Sequence, residues 1–409
     1  MTEARKISQI RLSKTLKKCS FSSPAYVMDE ALLKGNLAIL EYIQRESGAK
    51  ILLAQKAFSS YDFYPLLAES LYGTTASSLY EARLGREYFS CYSTKNRTRA
   101  WETHIFSPAY QEKEMSRILL YCDHIVFNSF AQWRKFYPMI VQKSRRVECG
   151  LRINPQHSEG KVEMYDPSAA YSRLGIPFEE FEKQEDIEQI MSQVKGLHFH
   201  TLCEQDFPPL RRTLNVVEKK FGKYLHQMDW LNLGGGHHLT RPDYQVEELI
   251  ACLKEIAERY QVQVYLEPGE AVVWQTGYLV GTVIDIVENG MSIAILDVSA
   301  ACHMPDVLEM PYRPEIVGAG NPEEKAYLYR LGGPTCLAGD IIGDYSFDEP
   351  LEIGSRLIFC DMMHYTTVKT NTFNGIALPS FYVYSEYDEL HLIKEFAYED
   401  FRNRLGSEE

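Results

Sequence analysis

The sequence is short of several things that would place it quickly. It has no Cys-x-x-Cys pair, although nine cysteines are scattered along it. That odd, unpatterned count argues against structural disulfides and for a reduced, cytoplasmic protein. No apolar run approaches the roughly 18 residues of a membrane span, and the start, MTEARKISQIRLSKTLKKCS, is polar and basic and lacks an apolar leader core. There is no basic excess: the net charge is −13, with both signs interspersed. A nucleic-acid partner calls for a basic face and is therefore disfavoured, whereas a cationic small molecule is not. Internal repeats and low-complexity segments are absent too.

What is present is a chain of 409 residues, 45% hydrophobic, long enough for more than one core. Short apolar runs recur, each followed by a helix-like stretch. They predict strands at 51–56, 73–78, 103–107, 124–129, 148–154, 196–201, 230–236 and 262–268. Between 243 and 259, Val246, Leu249, Ile250, Leu253, Ile256 and Ala257 repeat at helical spacing, and another helix is expected over about 30–47. Eight strands alternating with helices fit a (β/α)8 TIM-like barrel over 22–270; a doubly wound open sheet is the rival. After Glu270 the texture turns β-rich, in segments such as VVWQTGYLVGTVIDIV and SRLIFC. A mostly antiparallel β domain is expected over 271–385, with 1–21 as a candidate extra strand and 386–409 as a closing tail, its last stretch read as a helix.

Barrel enzymes build their sites at the C-terminal ends of the strands. Here those ends carry Lys56, then His198 and His200, then Gly234-Gly235-Gly236, then Glu267-Pro268-Gly269-Glu270. A glycine turn after the seventh strand suits a phosphate, because bare backbone N–H groups can approach an anion. A lysine at a barrel mouth, partly desolvated, can attack a carbonyl as the neutral amine. A phosphate site beside a carbonyl-seeking lysine points to pyridoxal phosphate. Glu267 would pair with its pyridine nitrogen, and His200 would stack on its ring. The competing reading takes His198 and His200, with His237 and His238 nearby, as metal ligands of a barrel hydrolase. It leaves Lys56 and the glycines unexplained, so no metal is expected.

The segments GTTASSLYEARLGRE, GLHFHTLCEQ, LNLGGGHH, EPGEAV, CHMPDVLEMPYRP, LGGPTCLAGD and YTTVKTNTFNG carry a resemblance. Over roughly 22–385 the chain resembles the pyridoxal-phosphate decarboxylases of the alanine-racemase fold type, relatives of ornithine and diaminopimelate decarboxylases. Within them it is most similar to the carboxynorspermidine (carboxyspermidine) decarboxylase branch. The resemblance implies that Lys56 holds the cofactor covalently, His200 stacks on it, Gly235 and Gly236 cradle its phosphate, Glu267 meets its nitrogen and Tyr365 contacts its phosphate. It also implies that Cys336 and Asp340 reach the site from a second subunit, hence a homodimer with shared sites. Cys336 is read as the donor of the proton to Cα, with Lys56 or a water as the alternatives. The better-known relatives carry Arg where this chain has Glu270, and Gly-Ser where it has Leu202 and Cys203, so Thr201 or backbone N–H groups would serve the phosphate. Glu270 and Asp306 would read the amines of a carboxylated triamine, in a decarboxylation that yields norspermidine or spermidine in polyamine biosynthesis. Decarboxylation of diaminopimelate, lysine or ornithine, and a non-catalytic role, are the rivals.

Overall fold

The computed structural model describes residues 3–18, 21–90, 100–142, 147–160 and 166–407. They divide into two units, one of residues 36–272 and one of residues 1–35 with 273–409.

The first unit is a closed parallel barrel of eight strands: β1 (Lys50–Ala54), β2 (Gly73–Ala76), β3 (Glu102–Phe106), β4 (His124–Phe127), β5 (Glu148–Asn154), β6 (Gly196–His198), β7 (Trp230–Asn232) and β8 (Gln263–Leu266). Each pairs in parallel with the next, and β8 pairs with β1 to close the ring. Every strand expected from the apolar runs is present, most of them shorter than read. A two-residue strand, Ile176–Pro177, adds to the end of β5. The helices Glu30–Ser47 and Val246–Tyr260 stand where periodicity put them. Inside the barrel Leu52, Val126, Trp230 and Tyr265 form a buried cluster. Trp230 fits because β5 and β6 offer glycines beside it: a Cβ on Gly150 or Gly196 would meet the indole at 2.3 or 1.9 Å.

At the N-terminal ends of the strands the interior is charged. Glu102 Oε1 accepts from Lys50 Nζ at 2.5 Å, and Oε2 accepts from the Tyr265 hydroxyl at 2.8 Å with His104 Nε2 at 3.0 Å. The His104 and His124 rings stack with centroids 4.0 Å apart. Glu102, His104 and His124 bring ligand-type atoms within 4.8 Å of one another, but the ammonium and the phenol already engage the carboxylate.

The second unit is built on an eight-stranded, mostly antiparallel sheet. Its central strand Gly277–Glu288 pairs antiparallel with Ala25–Asp29, Ser292–Leu296 and Arg356–Cys360. Two pairings are parallel, Ala25–Asp29 with Ser380–Tyr384 and Ser292–Leu296 with Tyr327–Gly332. The expected boundaries need correcting here. The described residues of 1–21 give a helix, Glu3–Lys18, where a strand was expected. Residues 25–29, assigned above to the barrel, are a strand of this sheet. The tail past 385 begins with another strand, Leu390–Lys394, and only then a short helix, Tyr398–Arg402. Among the described residues no helix is long and apolar enough to cross a membrane.

Candidate active site

Lys56 lies in the turn that ends β1. Ala54 N–H is held by the Pro268 carbonyl at 3.0 Å, Gln55 N–H by the Thr75 carbonyl at 3.1 Å, and Ala57 N–H by the Ala54 carbonyl at 3.1 Å. The strand therefore stops at Ala54, and Lys56 is presented at the barrel's C-terminal mouth. Its side chain is ringed by protein yet open to solvent there. Burial lowers the pKa of its amine, the neighbouring Arg152 cation lowers it further, and Glu267 and Glu81 act in the opposite sense. An amine so placed is held toward its neutral, nucleophilic form.

Glu267 follows β8 and is bound from two sides. The Asn232 amide donates to its Oε1 at 2.7 Å, and His198 Nε2 lies 3.4 Å from its Oε2. Burial would push this carboxyl up, but His198, His104 and the Asn232 donor outweigh it and hold it at about 2. Burial lowers His198, while Glu267 acts on it in the opposite sense. The Phe106 ring is flanked by His198, centroid at 5.6 Å, and by the Arg152 guanidinium at 4.5 Å. Arg152 donates to the His200 carbonyl at 3.0 Å.

His200 Nδ1 accepts from Gly235 N–H at 3.0 Å, and burial keeps its imidazole well below the ordinary histidine range. The loop after β6 is thus tied to the loop after β7. Gln205 N–H adds a second tie to the Gly236 carbonyl at 3.1 Å. The glycines of that loop are needed as glycines: a Cβ on Gly235 would fall 2.2 Å from the Glu267 carbonyl oxygen, and one on Gly236 1.9 Å from that of Leu202. The His-x-His pair does not converge as a metal chelate, since His198 turns to Glu267 and His200 to Gly235. Glu270 Oε1 lies 3.3 Å from His238 Nε2, and His237 Nδ1 lies 2.7 Å from the Tyr244 hydroxyl.

The remaining expected residues belong to the second unit. Tyr365 is half-buried, with φ +49° and ψ −48°, a region a tyrosine rarely adopts. Lys369 N–H to its carbonyl at 3.0 Å helps hold this turn; such strain often marks a functional position. Cys336 is exposed, and its N–H donates to Asn374 Oδ1 at 2.8 Å. Asp340 and Asp306 depart from expectation. Asp340 is buried and accepts from Ser299 Oγ at 2.9 Å, Thr335 Oγ1 at 2.7 Å and Ala301 N–H at 3.2 Å, so it organises its own loop. Asp306 is paired with Lys369, which also reaches Glu309 Oε2 at 2.5 Å.

The chain matches the family model of the pyridoxal-dependent decarboxylases (C-terminal sheet domain) over residues 25–363. It belongs to that family. It is 43% identical to the carboxynorspermidine/carboxyspermidine decarboxylase of Campylobacter jejuni, over 93% of this chain and 98% of that one. It is equally, 43%, identical to the carboxyaminopropylagmatine decarboxylase of a Synechocystis strain, over 95% and 96%. A crystal structure of the Campylobacter jejuni carboxynorspermidine decarboxylase complexed with norspermidine superimposes with a TM-score of 0.83 at 42% identity, covering 94% of this chain and all of that one. The protein is therefore an enzyme, a carboxy-lyase that uses pyridoxal phosphate. The donor set fits that cofactor: an amine held toward neutrality, an ionised buried carboxylate, and a loop with room only for glycine. His198, expected at the barrel mouth, takes the part of a Glu267 neighbour and not of a metal ligand; Asn232 and Arg152 join the arrangement with no motif in the sequence to mark them.

Proposed function

We propose that this decarboxylase acts on a linear polyamine whose aminopropyl end carries the carboxylate, carboxynorspermidine or carboxyspermidine, in polyamine biosynthesis. The likeness over nearly the full length to enzymes named for such substrates carries the reading. Bound pyridoxal phosphate supplies the sink for the electron pair left on Cα as CO2 departs. The residues around it do the rest. Lys56 would hold the cofactor through Nζ. Glu267, ionised, would keep its pyridine nitrogen protonated. Gly235 and Gly236 would take its phosphate, with Tyr365 a further candidate for that contact, and His200 would serve its ring. Cys336 returns a proton to Cα.

Glu270, whose Oε1 lies 3.3 Å from His238 Nε2, is the carboxylate we assign to the substrate's distal cation, beside that histidine. Asp306 and Asp340 are not carried forward, because Lys369 and the Ser299–Thr335 hydroxyls already engage them. We further read the working form as a cytoplasmic homodimer in which Cys336 serves the partner's site. Carboxyaminopropylagmatine shares the carboxylated arm and ends in a guanidinium in place of an ammonium, so the far end of the site decides between them.

Release of CO2 from a panel of carboxynorspermidine, carboxyspermidine, carboxyaminopropylagmatine, diaminopimelate, lysine and ornithine tests the substrate. The carboxylated polyamines should lead in kcat/KM, and a preference for diaminopimelate or ornithine would refute the reading. Mixing inactive Lys56→Ala and Cys336→Ala preparations tests the shared site. Activity should partly return as subunits exchange; no recovery after proven exchange would place Cys336 elsewhere.

A further inference from the structure

Asn232 is the last residue of β7 and fully buried. Its amide is divided between two partners. Nδ2–H donates to Glu267 Oε1 at 2.7 Å, and Oδ1 accepts from Gly234 N–H at 2.9 Å. The backbone repeats the link, since Glu267 N–H donates to the Gly234 carbonyl at 2.7 Å. One rigid planar group thus spans from the carboxylate to the first glycine of the loop.

We propose that Asn232 is a positioning residue that fixes the carboxylate meeting the cofactor's nitrogen relative to the glycine loop meeting its phosphate. The inference rests on the reading of Glu267 and that loop as the two ends of the cofactor site. It requires an amide, because donor and acceptor are both used. Aspartate would keep the acceptor for Gly234 but set a second carboxylate against Glu267. Two carboxylates at that distance do not both stay ionised, so one proton would be shared between them. The other titratable or charged groups facing Glu267 are His198, His104, Arg152 and Lys56. Alanine would release both ends. The two substitutions therefore separate the roles.

The test uses the holoenzyme and its best substrate from the panel, with kcat, the dissociation constant of pyridoxal phosphate, and the absorbance of the bound cofactor as a function of pH. Asn232→Asp should lower kcat by about tenfold or more, the scale of a lost hydrogen bond to a charged group. It should add an ionisation to the absorbance profile near neutral pH and change cofactor affinity little. Asn232→Ala should weaken cofactor binding as well. Should the aspartate variant not fold, the alanine variant decides through Glu267→Gln: at saturating cofactor, adding Asn232→Ala to Glu267→Gln should cost no further kcat. A wild-type kcat with a flat profile in Asn232→Asp, or full additivity in the double variant, would overturn the proposal. If Glu267→Gln itself has wild-type kcat, the reading of Glu267 fails, and the inference with it.

Discussion

Leu202 and Gly236 meet backbone to backbone. A Cβ added to Gly236 would stand 1.9 Å from the Leu202 carbonyl oxygen, and Gly236 has φ +85°. Neither the space nor the conformation suits another residue. Gly236→Ala should therefore strain the loop by about 1–3 kcal/mol. Where that strain is relieved by moving the loop, pyridoxal phosphate should bind about tenfold more weakly, since about 1.4 kcal/mol is tenfold in Kd. Titration of the apoenzyme with the cofactor measures this; unchanged affinity would remove the loop from the phosphate site.

At the other end of the barrel, Glu102 pairs with Lys50 and is set among Tyr265 and the stacked histidines. Glu102→Gln leaves Lys50 part-buried without its anion and should cost about 3 kcal/mol in unfolding free energy. Burial raises this carboxyl, but His104 and Lys50 outweigh it and hold it far below the ordinary range. Its contribution is thus present at and above neutral pH and is lost as the pH falls below the ordinary carboxylate range. Urea unfolding should show the gap between wild type and variant narrowing on acidification; a gap that widens would contradict the assignment.

Arg152 is a cation near the Lys56 amine and the second cause, after burial, of the lowered lysine pKa. Arg152→Met removes a like charge, so the lysine pKa should rise and the neutral amine become scarcer at a given pH. Cofactor uptake by the apoenzyme should then need a more alkaline medium, seen as an upward shift of the pH at half-maximal uptake rate. A downward shift would show that the lost contact to the His200 carbonyl matters more than charge.

Much of this was legible from the residues, and the exceptions have physical causes. The barrel strands announce themselves as apolar runs, and Lys56, the glycine triplet and Glu267 stand at their ends. Arg152, His198 and Asn232 each lie two residues beyond Gly150, Gly196 and Trp230, which pack together inside the barrel. Period-two alternation puts them on the same interior face, and that is the signal by which they could have been found. The helix at 3–18 buries Leu12 and Leu16 with Ser8 and Thr15, a seam too polar to read as an apolar stripe. The strand at 25–29 is short, and its neighbours lie about 250 and 350 residues away in the chain. No motif reveals that Asp306 and Asp340 are already occupied by Lys369 and by hydroxyls, because those partners are distant or local details of packing.

Lys56 is the residue on which the chemistry depends. Reduction of the holoenzyme with borohydride, followed by digestion and mass spectrometry, should place the cofactor on the peptide containing Lys56, and Lys56→Ala should lose the bound cofactor's visible absorbance. Cofactor fixed on another lysine, or an unchanged spectrum in Lys56→Ala, would contradict it.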